Sequence, residues 1–308
     1  MKIVLEVFLL SLGFLLLVKG ADWFVDGASG IATKLRIPQL VIGLTIVAMG
    51  TSAPDAAVSI SAALKGSADI TIGNIVGSNI LNILIILGLA SALVPIAVAK
   101  STIRGDIPFM LAITGVLLAL GWDGTISFID GIIMLVLFAG YLAFLFIGAK
   151  NNPQEESAKN LPLWTALSLT VIGLILIIWG SDLAVDAATS LARIFGISER
   201  FIGLTIVALG TSLPELFTSV AAARKGNADI AIGNIVGSNI FNILFVVGLS
   251  SMVINVPFAA NFRIDMLVAI ASCVFIWLAA LKSKKLARWA GFTMLLGYVG
   301  YFVYLLMV

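Results

Sequence analysis

GTSAPDAAVSISAALKGSADITIGNIVGSNILNIL, residues 50–84, returns at residues 210–244 as GTSLPELFTSVAAARKGNADIAIGNIVGSNIFNIL, a shift of 160 positions. The chain is therefore a duplication. Each copy sets one carboxylate, Asp55 or Glu215, directly after a proline. The surrounding segment is otherwise apolar enough to lie in lipid, where a charge costs about 2.5–3.5 kcal/mol on insertion scales. The match also runs upstream: LTIVAMG from Leu44 pairs with LTIVALG from Leu204, and Gly20, Asp22, Val25 and Asp26 pair with Gly180, Asp182, Val185 and Asp186. Whole halves were copied, not merely a motif.

Composition gives the class. Of 308 residues, 61% are hydrophobic and only 11% charged, with a mean hydropathy of +1.16, whereas soluble domains carry about 25% charged residues. This is a polytopic membrane protein. The first apolar run meets Lys19 without a small-residue cleavage site, so it reads as a span and not a removable signal. A net charge of +2 gives no reason to expect a nucleic-acid partner. With no histidine and a single cysteine, Cys273, zinc, copper and haem sites are not expected, nor is any cofactor. No obligatory protein partner is evident, and the lipid bilayer is the expected surrounding.

Windows of about 20 apolar residues, enough to cross some 30 Å of hydrocarbon, give ten spans: residues 3–19, 38–64, 69–94, 107–122, 125–148, 161–180, 198–223, 229–254, 266–281 and 288–307. The polar stretch AKNNPQEESAKN, Ala149 to Asn160, separates five spans from five. The predicted organisation is thus a single transporter domain over 1–308: a first repeat 1–148, a cytoplasmic linker 149–160 and a second repeat 161–308. An odd number of crossings makes the second copy enter from the opposite side, so the halves are predicted to be inverted repeats. Lysine and arginine support that. Lys2, Lys65, Arg193, Arg200 and Arg263 lie on one side, against thirteen cations on the other, Lys225 among them. The positive-inside rule then puts both termini outside the cell membrane.

The chemistry concentrates where spans 2 and 7 break. Pro54 frees the carbonyls of Gly50 and Thr51, and Pro214 those of Gly210 and Thr211. Each proline opens a new half-helix with Ser52 or Ser212 near its amino end and an acid in its first turn. One such kink alone is explained by Ser and Thr re-satisfying the backbone. Two copies, each with its own acid, point to an ion site. On spans 3 and 8, Asn74, Ser78 and Asn82 share one helix face, as do Asn234, Ser238 and Asn242. Of these, Ser78, Asn82, Ser238 and Asn242 are expected to face the ions. Asn79 and Asn239 point a quarter turn away and read as structural. Every candidate ligand is an oxygen, which suits Ca²⁺ or Na⁺ as substrates better than Mg²⁺.

The paired motifs GTSAPD with GNIVGSNILN and GTSLPE with GNIVGSNIFN resemble the alpha repeats of the sodium/calcium exchangers, in the cation/calcium exchanger superfamily. The resemblance spans the full length. It implies antiport of Na⁺ against Ca²⁺ by alternating access, with spans 1 and 6 sliding across the other eight. It also implies a ligand set of Ala48, Thr51, Ser52, Asp55, Ser78 and Asn82 with Ala208, Thr211, Ser212, Glu215, Ser238 and Asn242. Two departures stand out: Asp55 occupies a position usually held by glutamate in prokaryotic members, and Asn242 one where potassium-dependent relatives carry aspartate. The amide argues against potassium coupling.

If the same oxygens serve one Ca²⁺ or several Na⁺, occupancy is mutually exclusive, and exchange above two Na⁺ per Ca²⁺ is electrogenic. The nearest rival is proton/calcium antiport, whose relatives show glutamate-histidine motifs that this chain lacks. A cation channel is the rival from another class. An enzyme is not expected, since no nucleophile-base pair, zinc motif or phosphate loop is visible. Asp69 and Asp229 read as helix-start acids. Asp22, Asp26, Asp182 and Asp186 read as surface charges near the cytoplasmic ends of the sliding spans. Trp122 and Tyr301 read as interface anchors.

Overall fold

The computed structural model describes residues 2–151, 161–196 and 208–307. Among the described residues, the regular structure is helical apart from four two-residue strands. In order, the helices are α1 Lys2–Leu35, α2 Gln39–Thr51, α3 Ala53–Leu64, α4 Ile70–Leu93, α5 Thr102–Asp123, α6 Phe128–Asn151 and α7 Leu163–Ile194. There follow the short α8 Ala208–Gly210, then α9 Leu213–Arg224, α10 Ala228–Val253, α11 Phe262–Ser283 and α12 Arg288–Met307. Among the described residues eight helices are long and apolar enough to cross a membrane, and α2 with α3 makes a ninth, bent by 50°. The expected seventh span begins within residues 198–207, which lie outside the described residues; its second part is α9. The break in span 2 falls at Ser52, where sequence placed it.

Two helices outrun their apolar cores. The first span, read as residues 3–19, is a helix of 34 residues, about 51 Å long at 1.5 Å per residue. Its partner α7 has 32. The two pack along each other through glycines, because only a missing side chain lets backbones come this close. A methyl group on Gly20 would sit 2.8 Å from the Gly173 carbonyl, and one on Gly173 would sit 2.8 Å from that of Gly20. Gly13 and Gly180 meet the same way, and Gly27 lies against Thr170 and Ala166. As α1 numbers rise the α7 numbers fall, so the two helices run antiparallel.

That geometry corrects one expectation. Asp22 and Asp26 on α1 cannot share an end with Asp182 and Asp186 on α7; antiparallel packing places the two acid pairs at opposite ends of the helix pair. Ser190 Oγ donates to Glu6 Oε1 at 2.7 Å, fixing the far end of α7 beside the start of α1.

The remaining helices wrap α4 and α10, the latter buried over 94% of its most apolar window. The strands link the halves. Ile96–Ala97 (β1) pairs antiparallel with Lys285–Leu286 (β4), and Thr125–Ile126 (β2) with Val256–Pro257 (β3). A shift of 160 converts one ladder into the other. Tyr301 is more than an interface anchor: its hydroxyl donates to Asp265 Oδ1 at 2.8 Å. Tyr141, its counterpart under the shift, donates to Asp106 Oδ1 at 3.2 Å.

Candidate functional site

The break between α2 and α3 builds the first wall. Proline lacks the N–H a helix interior needs but suits a first turn, so Pro54 ends one helix and starts the next with Ser52 as its cap residue. Ser52 makes no capping bond; its Oγ donates instead to Glu215 Oε1 in the other half, at 2.7 Å. Asp55 occupies the first turn of α3 and is fully buried. Glu215 holds the same place in α9, also fully buried, with Ser212 capping no backbone amide. Both acids stand at the positive ends of half-helices.

The facing helices close around them. Ser78 Oγ donates to Asp55 Oδ1 at 3.2 Å, and Asn242 Nδ2 to Asp55 Oδ2 at 3.3 Å. Asn74 Nδ2 reaches the Asp55 carbonyl at 3.3 Å and Ser59 Oγ at 3.0 Å; Asn234 Nδ2 repeats this with the Glu215 carbonyl and Ser219 Oγ. Thr51 Oγ1 donates to Asn234 Oδ1 at 3.0 Å, and Asn234 in turn holds the Glu215 carbonyl, which ties the wall carrying Asp55 to the one carrying Glu215. Thr211 lines, with Pro54 and Gly210, a cavity beside the break.

Asn79 and Asn239 serve as structure, as their direction implied. Each donates its Nδ2 to the other's carbonyl at 3.2 Å, and their side-chain oxygens accept from Asn242 and Asn82. Ala48 is buried, and its carbonyl is already met by Ser52 N at 3.0 Å, Thr51 Oγ1 at 3.3 Å and Ser238 Oγ at 3.4 Å. Ala208 begins α8; its side chain lies outside the described residues.

What remains unpaired decides the chemistry. Glu215 Oε2, Asn82 Oδ1, Asn242 Oδ1 and Ser212 Oγ are buried with no protein hydrogen-bond partner. An orphaned buried polar atom costs about 1–3 kcal/mol, so two amide oxygens, a hydroxyl and one oxygen of the Glu215 carboxylate, with Asp55 as a second buried carboxylate, form a set that a cation would satisfy. Among the described residues no three His, Cys, Asp or Glu side chains converge on one point, and neither acid pairs with a lysine or arginine.

Two features escaped the sequence reading. The helix widens to π geometry over Asn82–Leu87 and again over Asn242–Val247, equivalent segments that both open on the cage asparagine. Such wide turns recur at functional sites and re-aim side chains; helical periodicity carries no sign of them. The other is Ser181 on α7, whose Oγ donates at 2.8 Å to the Gly210 carbonyl, the one that Pro214 frees. Its counterpart in the first half is Ala21, so the duplicated motif held no clue to it.

The family model described as Sodium/calcium exchanger protein matches the chain twice, over residues 5–147 and 165–307. Sodium/calcium exchanger MaX1 of Methanosarcina acetivorans is 31% identical, covering 96% of this chain and 97% of its own. Inner membrane protein YrbG of Escherichia coli strain K12 is 38% identical, covering 87% of this chain and 88% of its own. A solved structure of the sodium-calcium exchanger NCX_Mj, soaked with zero Na⁺ and Ca²⁺, is similar at a TM-score of 0.88 and 36% identity, covering 98% of this chain and 99% of that one.

Proposed function

The chain belongs to the sodium/calcium exchanger family, and we propose that it is a secondary antiporter that moves Ca²⁺ against Na⁺ through the cage around Asp55 and Glu215. The observation that carries this reading is the set of buried, unpartnered oxygens of Glu215, Asn82, Asn242 and Ser212 next to a second buried carboxylate. Calcium takes about 6–8 oxygens in a flexible shell, and two carboxylates balance its charge. The ligands are then drawn from Thr51, Ser52, Asp55, Ser78 and Asn82 with Thr211, Ser212, Glu215, Ser238 and Asn242. The Ala48 and Ala208 carbonyls join when the breaks in spans 2 and 7 flex.

The same oxygens serve several Na⁺ in turn, so the two ions compete for one cage. An empty cage buries two bare charges at high cost, which discourages turnover without cargo and so couples the fluxes without ATP. The architecture that performs this is ten spans in two inverted repeats, 1–148 and 161–308, joined by 149–160. Antiparallel α1 and α7 and the exchangeable strand ladders support the inversion. Exposure alternates as α1 and α7 slide on the rest, and more than two Na⁺ per Ca²⁺ makes transport electrogenic. Both termini face outward in the cell membrane.

The test is uptake of labelled calcium into Na⁺-loaded proteoliposomes at fixed pH. Uptake that requires the outward Na⁺ gradient is expected. Uptake driven by a pH gradient and indifferent to Na⁺ makes the protein a proton/calcium antiporter, and flux without any counter-ion makes it a channel.

A further inference from the structure

Lys225 stands just past the end of α9 and spans the gap to α1. Its Nζ lies 3.0 Å from Asp26 Oδ1 and 3.4 Å from Asp22 Oδ1, and it donates to the Asp22 carbonyl at 2.6 Å. The shift of 160 residues maps this triad onto Lys65, Asp182 and Asp186. Among the described residues no ion pair joins that second set.

The space beside each triad differs accordingly. Next to Lys225 a cavity of 450 Å³ is lined by Val18, Ala21, Phe217, Val220 and Ala221, and by no cage residue. Next to Asp182 and Asp186 a cavity of 570 Å³ passes Ala53 and Pro54 to reach Gly210 and Thr211, at the broken helix itself. The bridged mouth stops short of the cage; the unbridged mouth arrives at it.

We propose that the two triads are alternating latches. Lys225 binding Asp22 and Asp26 ties α1 to α9 and holds one mouth shut while the other is open. Lys65 binds Asp182 and Asp186, tying α7 to α3, when the carrier turns over. The pairs are partly exposed, and exposed ion pairs are individually weak. Weakness suits the task, since a latch must release in every cycle. The inference rests on the alternating-access reading above and assigns it residues outside the cage.

The experiment uses the full chain in proteoliposomes, with Cys273→Ala as background and one reporter cysteine at Ala221 or Ala57, which line the two mouths. A membrane-impermeant thiol reagent is added from each side. Lys225→Gln is expected to raise labelling at position 221 about five-fold and to lower it at position 57, the shift that loss of one weak ion pair allows. Lys65→Gln is expected to move both rates the opposite way, and Lys225→Arg to behave as the parent. Labelling unchanged in Lys225→Gln, or rising at both positions together, overturns the latches. Labelling is read without transport, so a parent protein that shows no Na⁺-dependent calcium uptake refutes the antiport reading separately.

Discussion

Glu215 has one oxygen held by Ser52 at 2.7 Å and the other without a partner, so its charge is the part of the cage most available to a cation. Glu215→Gln keeps the volume and removes the charge. With a cation bound, the change removes one partner of a buried ion pair, which costs about 3–5 kcal/mol, so Na⁺-dependent calcium uptake is expected to fall at least about 100-fold, with elution on size exclusion unchanged. Near-normal uptake by the purified variant contradicts the site. Ser52→Ala removes a hydrogen bond to a charged group, worth about 1.5–3 kcal/mol, and should weaken apparent calcium affinity by roughly ten-fold in concentration-dependent uptake; an unchanged affinity means Ser52 only fills space. At this scale much was legible in advance. A carboxylate after a proline inside an apolar run is visible in one dimension because lipid makes it expensive. That Ser52 serves the acid of the opposite half, and that Ser181 covers the Gly210 carbonyl, depends on contacts between distant segments and has no local pattern.

Among the elements, span positions were readable because hydropathy and length are properties of single segments. Their limits were not: the apolar window at residues 3–19 continues as helix to Leu35, since packing against α7 keeps the less apolar turns helical. The same packing hid the relation of the acid pairs, because which ends of α1 and α7 lie together depends on their antiparallel contact. The close crossing at Gly20 and Gly173 carries its own prediction. Gly20→Val places atoms within 2.8 Å of backbone that has nowhere to yield, and overpacking of this kind costs about 1–3 kcal/mol. A lowered thermal midpoint in detergent and at least about ten-fold slower exchange are expected. Gly300→Val, where nothing lies within 4 Å, should leave both unchanged and serves as the control; equal behaviour of the two variants would show that the crossing does not matter.

For the whole molecule, the cage is assembled from both halves, and the proposed exchange of more than two Na⁺ for one Ca²⁺ through it would carry net charge. Each net charge carried through the membrane field exchanges about 2.3 kcal/mol per 100 mV. A potential negative on the Na⁺-receiving side should therefore accelerate calcium movement out of that compartment by several-fold, measured by clamping vesicles with potassium and an ionophore; rates indifferent to potential would make the exchange electroneutral. Fold class and duplication were legible because both are written along the chain, whereas which cavity reaches the broken helix depends on how distant segments pack. The reciprocal contact of Asn79 with Asn239 has a corollary for substitution. Each residue touches its own duplicate, so the two asparagines sit where the copied segments meet. Removing either side chain strips a bond from the carbonyl of its twin, and one exchange is felt in both copies at once.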